Sequence, residues 1–276
     1  MITKFPASIL LLLAAILAAC AVSPTGRRQL ALVSEDSAIV ASEEAYAMQI
    51  GELRKEGKIV SESSRVAQRV DAITGRLVAQ AIELRPDTAD WKWSVEVIDD
   101  PEMVNAWCMA GGRMAVYTGL IQKLDPTDDE LAQVMAHEIS HAVANHTAER
   151  MSVAIATNAG VALAGVLSED AQRTMTAAAV AAALAIQMPN SRTAESEADE
   201  IGIELAAKAG YNPNAAITLW DKMANVAGNG PPQFLSTHPS PANRREKLAE
   251  LAPQMMAYYE QARRNAPTRS VARAER

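Results

Sequence analysis

This 276-residue chain predicts an α+β fold that is mostly helical and carries one small β-sheet. Three observations lead there. Stretches with apolar residues at helical spacing take up most of the chain. One short region, residues 91–121, instead reads as a trio of strands. The composition is 49% apolar but only 4% aromatic, with many Ala-rich runs, which suits helices packed through Ala, Leu, Val and Met. A formal net charge of −7 without a basic patch to offset it argues against nucleic acid as a partner.

The first element is a leader over 1–19, with Lys4 followed by the apolar run "ASILLLLAAILAA". That run is too short for a comfortable membrane span. Small residues at 18 and 19 before Cys20 resemble the lipobox of bacterial lipoproteins, in which the leader is cleaved and the Cys is lipidated. Ala21 after it points to the outer membrane by the usual sorting pattern, and acyl chains on Cys20 would give stable anchoring. The plain alternative is a signal peptide in which Cys20 is incidental. Residues 20–35 read as a tether, rich in Pro, Gly and Ser. Cys108 is then a lone thiol, expected to be buried.

A single domain is expected over 36–262. Helices at roughly 36–56 and 62–84 open it, the second marked by Val66, Val70, Ile73, Leu77 and Ala81. "RPDTAD" stops that helix. In "WKWSVEVID", Trp91, Trp93, Val95 and Val97 alternate onto one face. "MVNAWCMA" and "RMAVYTGLI" follow, with Gly111-Gly112 as a hairpin turn between them. Thr127 and Glu130 form a capping box for a helix running to about Met151. Residues 152–188 are apolar but broken by "SEDAQR", so a helical hairpin or a flap fits better than membrane spans. A helix from Asn190 ends at Gly210, and another starts after Pro213. A Gly/Pro-rich loop then leads to a last amphipathic helix at about 241–264. The basic tail over 263–276 carries Arg263, Arg264, Arg269, Arg273 and Arg276 and reads as disordered and solvated.

The chemistry concentrates in "VMAHEISHAVANH". His137, Glu138 and His141 make H-E-x-x-H, and residues four apart share one helix face, so both imidazoles can reach one ion. Glu138, beside the first His, is placed to take a proton from water activated by zinc. A catalytic zinc needs a third protein ligand and an open position. On a continuous helix His146 lies well round from the pair, so it is set aside as structural. The position ten after the first His is Thr147, which excludes the extended three-His motif. A carboxylate from a second helix remains. In "RTAESEADEIG", Glu195 is the Glu with an Asp four residues on, Asp199, which could hold a ligand His by its far N–H. Gly202 on the same face would let the two helices approach closely.

"HEISH" followed by "SRTAESEAD" resembles the gluzincin metallopeptidases, the family of HtpX, BepA, LoiP and the CAAX prenyl endopeptidases. Arg192, Glu195, Ala198 and Asp199 match its second motif. "NAWCMAGGRMAVYTGLI" and "STHPSPANRREKL" are similar to its segments before and after, although Ala110 stands where relatives often carry Pro. With the lipobox, the likeness is to bacterial lipoprotein peptidases of the LoiP type, kin of the mitochondrial Oma proteases. It covers roughly residues 26–250.

The resemblance implies a zincin-like domain with one Zn²⁺ per chain, held by His137, His141 and Glu195, and with Glu138 activating water. It implies that Asn105, Ala106, Trp107, Cys108 and Met109 form a strand that pairs with an extended protein or peptide substrate. It also implies that His238 either gates the zinc or donates to the oxyanion of the tetrahedral intermediate. The expected role is quality control of misfolded or misassembled envelope proteins from the periplasmic side, with outer-membrane protein assembly factors as candidate partners. The alternatives are a zinc-stabilised chaperone with minor proteolysis, or a structural lipoprotein without metal.

Overall fold

The computed structural model describes residues 20–162, 190–226, 233–239, 243–264 and 271. The leader, most of the apolar 152–188 stretch and most of the basic tail lie outside these residues. Among the described residues, no helix is long and apolar enough to cross a membrane.

Residues 20–35, expected as a tether, instead begin with an antiparallel hairpin of β1 (Cys20–Val22) and β2 (Arg28–Leu30). Polar side chains dock it on the domain. Gln29 Nε2 donates to the Ala144 carbonyl at 2.6 Å, and the Val33 amide donates to Ser152 Oγ at 2.9 Å. Helix α1 (Glu35–Lys55) follows, capped by Ser34, and then α2 (Arg65–Leu84), capped by Ser64. Val70, Ile73, Leu77 and Ala81 of the predicted stripe are buried in α2.

Three strands form the main sheet in the order β3-β5-β4. β3 (Ser94–Ile98) runs parallel to β5 (Arg113–Tyr117), and β4 (Ala106–Cys108) pairs antiparallel with β5, Cys108 opposite Met114. The predicted alternation holds, with Trp93, Val95 and Val97 in one core cluster and Trp91 packed against it, but the other face of β3 is buried as well. Val95 and Val97 join the core of α2, while Ile98 packs with Tyr46 and Ile50 of α1, so helices cover both faces. The hairpin at Gly111-Gly112 is present, with both residues at positive φ. At Gly112 a Cβ would also lie 2.5 Å from the Trp93 ring, so only Gly fits. Trp91 and Trp93 precede the strand, and Trp93 Nε1 donates to the Thr88 carbonyl at 2.9 Å.

After α3 (Thr118–Leu124), the capping box of Thr127 and Glu130 starts α4 (Asp128–Val143) as predicted. The helix does not continue to Met151. It ends at Ala144, Asn145 takes a left-handed φ of 57°, and α5 (His146–Ala162) sets off anew. Asn tolerates that conformation better than most residues. Helix α6 (Arg192–Lys208), α7 (Ala215–Val226), a short α8 (Gln233–Thr237) within the Gly/Pro-rich loop, and α9 (Arg244–Ala262) complete the described elements.

α4 is the central element, buried from Glu130 to Val143. It packs on α2, α6, α7 and β4. At its closest approach to α6, a Cβ on Gly202 would lie 3.1 Å from both the Cα and the amide nitrogen of His137. Backbone cannot yield there as a side chain would, so Gly202→Val should force the helices apart. Overpacking of this kind costs about 1–3 kcal/mol. Denaturant unfolding of the variant should show that loss; unchanged stability would mean that the crossing is not tight.

Candidate metal centre and cleft

α4 projects His137 and His141 from one face, and α6 brings Glu195 across from the opposite side. The turn after α8 adds His238, held by a hydrogen bond from its amide to the Phe234 carbonyl and by ring stacking on Phe234 at 4.5 Å. Donor atoms of His137, His141, Glu195 and His238, all buried, lie within 4.8 Å of one another and could hold one metal ion. The geometry is tight. His137 Nε2 lies 3.0 Å from His141 Nε2, 3.3 Å from Glu195 Oε2 and 3.3 Å from His238 Nδ1. Glu195 Oε1 lies 3.3 Å from His141 Nε2 and 3.0 Å from His238 Nδ1. A tetrahedron with zinc–ligand distances of 2.0–2.1 Å has edges of about 3.3 Å. The neighbouring donors approach that spacing, with Glu195 presenting Oε2 to His137 and Oε1 to His141 and His238, so the cluster could close around one zinc ion.

The electrostatics suit the same purpose. Burial holds His141 well below its ordinary pKa, so its ring is neutral with a lone pair for a metal. Burial opposes ionisation of Glu195, but the surrounding imidazoles, with hydrogen bonds from His137 and His238, outweigh it and keep the carboxylate charged. Burial and the Arg244 guanidinium disfavour protonation of His137, yet Asp199 and Glu195 prevail and raise its pKa to about 9. The Asp199 contact is the one expected from the sequence, with Oδ1 at 3.1 Å from His137 Nδ1.

Glu138 lines a cavity of about 470 Å³ together with His141 and His238. Its Oε1 is buried without a hydrogen-bond partner among the described residues, 3.3 Å from His238 Nε2. Burial raises its pKa, which suits a carboxylate that must exchange a proton. The opposite wall of the cavity is the segment from Asn105 to Met109, whose strand β4 is an outer strand of the sheet. The structure thus gathers that edge, Glu138, His141 and His238 around one space. Cys108 is buried as expected, and burial pushes its thiol pKa well up.

Three further residues at this centre, Arg244, Asn190 and Arg150, escaped sequence reasoning. Arg244, at the start of α9, donates to Glu195 Oε2 at 3.0 Å and Asp199 Oδ1 at 2.5 Å while stacking over Trp220. Its place in "NRREKL" was the available signal. Asn190 lies with Nδ2 3.2 Å from His238 Nδ1 and accepts a hydrogen bond from Arg150. His146 was set aside as structural on the sequence. It stands outside the four-donor cluster, but not because it lies round the same helix: the break at Asn145 turns it back, and its Nδ1 is 2.7 Å from His141 Nδ1.

The model of peptidase family M48 matches residues 64–252. The chain is 38% identical over 163 residues to a mitochondrial metalloendopeptidase OMA1 of Arabidopsis thaliana, covering 57% of this chain and 31% of that one. It is 36% identical over 193 residues to the mitochondrial metalloendopeptidase OMA1 of Schizosaccharomyces pombe, covering 69% and 52%. A beta-barrel assembly-enhancing protease of Escherichia coli O157:H7 is 30% identical over 200 residues, covering 69% and 39%. The chain therefore spans about half or less of the length of these curated relatives.

One pH dependence follows from His137. With its pKa raised to about 9 the ring holds a proton at neutral pH, and a metal ion bound through His137 would have to displace it. Apparent zinc affinity should therefore rise as pH rises, by about tenfold per unit for one released proton, and level off above pH 9. Competition with a chromophoric chelator between pH 7 and 10 measures it, and a flat profile would contradict it.

Proposed function

The chain belongs to peptidase family M48, and on that premise we propose that it is a zinc-dependent endopeptidase. The observation that supports this most is the pairing of a four-donor cluster with the buried Glu138 carboxylate, beside a cavity bounded by a sheet edge. His137, His141 and Glu195 are the proposed ligands. Bound by them, zinc supplies a Lewis acid and a water acidic enough to attack an amide at neutral pH. Glu138 takes the proton of the attacking water and passes it to the leaving amine. Asp199 and Arg244 keep His137 and Glu195 in place. The edge at Asn105–Met109 pairs with an extended substrate backbone, which suits loose sequence preference.

His238 sits at the fourth vertex, the position a catalytic zinc must leave open. We read this as a latent arrangement in which His238 gates the site and withdraws with α8 when substrate enters. The same closure favours one alternative, an assembly factor of the envelope with minor proteolysis.

The proposed setting is the periplasmic side of a bacterial envelope, with lipid on Cys20 as anchor and misfolded or misassembled envelope proteins as substrates. The lipobox-like "LAAC" and the likeness to a beta-barrel assembly-enhancing protease support it.

Glu138→Gln should retain stoichiometric zinc and lose casein hydrolysis by about 10²–10⁴-fold, the range of general acid–base catalysis. Full activity would sink the mechanism, while cellular function retained in that variant would favour the assembly-factor reading. His238→Ala should raise basal proteolysis severalfold. Abolished activity would make His238 an oxyanion donor instead, and unchanged activity would remove both roles.

A further inference from the structure

The hairpin that follows Cys20 reaches the metal centre through a continuous chain of hydrogen bonds. Glu197, two residues beyond the ligand Glu195 on α6, is buried beneath it. The hydroxyls of Ser23 and Thr25 donate to Glu197 Oε1, the latter at 2.5 Å, and Arg27 Nε donates to Oε2. The two Nη groups of Arg27 also clasp Glu149 of α5 at 2.7 and 2.6 Å, so one guanidinium joins α5 to α6. On its other side Glu197 Oε2 lies 3.1 Å from His146 Nε2. His146 is wholly buried, and its Nδ1 lies 2.7 Å from His141 Nδ1.

The direction of each proton follows from the end of the chain. An ionised carboxylate only accepts, so His146 Nε2 donates to Glu197. The neutral ring then has a lone pair at Nδ1, and His141 Nδ1 must donate to it. That leaves His141 Nε2 bare and facing the cluster, the one tautomer that can bind a metal there. The reverse tautomer would aim an N–H at the ion.

We propose that the N-terminal hairpin is a positioning element of the metal centre: Ser23, Thr25 and Arg27 fix Glu197, Glu197 fixes His146, and His146 sets the tautomer and ring orientation of His141. The inference rests on the reading of His137, His141 and Glu195 as metal ligands. It adds an imidazole as the relay between ligand and carboxylate, where one carboxylate or carbonyl usually serves alone. It also makes the segment next to Cys20 part of the site's support.

The test uses the full chain, titrated with Zn²⁺ against a chromophoric chelator and with Co²⁺ for its visible absorption. His146→Leu should weaken zinc by about 10–100-fold, the usual cost of losing such a partner, and should shift the Co²⁺ bands. His146→Gln, which returns an acceptor opposite His141 Nδ1, should recover most of both. Arg27→Ala, at the partly exposed end of the chain, should move both readouts in the same direction and remains informative if His146→Leu does not fold. Unchanged affinity and spectrum in these variants would overturn the proposal, and an effect at His146 without one at Arg27 would overturn the hairpin's part. A parent chain that takes up no zinc would instead overturn the ligand reading, and this inference with it.

Discussion

The crossing of α4 and α6 at Gly202 is the constraint on which the site depends. Gly202 leaves no side chain between the helices, and the His137 backbone fills the space a Cβ would need. Only at that separation can Glu195 reach both His137 and His141 with opposite oxygens of one carboxylate. The other elements hold this pair of helices. α2 and the sheet flank α4, α9 lies against α6, and Arg244 of α9 ties Glu195 to Asp199 from outside.

Such a centre places many ionisable groups in the interior. Glu138, Glu195, Glu197, His137, His141, His146, His238 and Arg244 are all buried. Each buried ion costs several kcal/mol in desolvation, offset only by close partners in good geometry. The partners here are arranged on two sides. Asp199 and Arg244 serve His137 and Glu195, whereas Glu197 and His146 serve His141. Glu138 Oε1 and Arg244 Nε are buried without a hydrogen bond among the described residues, although Arg244 Nε pairs with Asp199 and Glu138 Oε1 lies 3.3 Å from His238 Nε2. Glu138 also lines the cavity, a position consistent with a proton-transfer role.

The closed fourth vertex joins the metal centre to the cleft. His238 faces Glu195 through Nδ1 and Glu138 through Nε2, so one ring spans the cluster and the would-be general base. It is carried by a five-residue helix, with Phe234 stacked on it and the Phe234 amide bonded to the Val104 carbonyl beside the sheet edge. This segment therefore contributes both to the four-donor cluster and to the wall of the cleft.

Much of this was legible along the chain. The H-E-x-x-H spacing, the capping box at Thr127, the Gly pair of the hairpin and the i,i+4 relation of Glu195 to Asp199 are local periodicities. An α-helix or a tight turn converts such spacing into geometry without help from the rest of the protein. The sequence by itself therefore determined which helix carries His137 and His141 on one face, that Glu195 and Asp199 share a face of a second helix, and a mixed fold with the β3-β5-β4 sheet. The tertiary structure alone decided the remainder. The left-handed turn at Asn145 brought His146 behind His141, the 20–30 hairpin folded onto Glu197 rather than trailing as a tether, and Arg244 and His238 arrived from about a hundred residues away. These contacts arise from packing between distant elements, where a single break or docked hairpin redirects a side chain and no periodicity along the sequence records it.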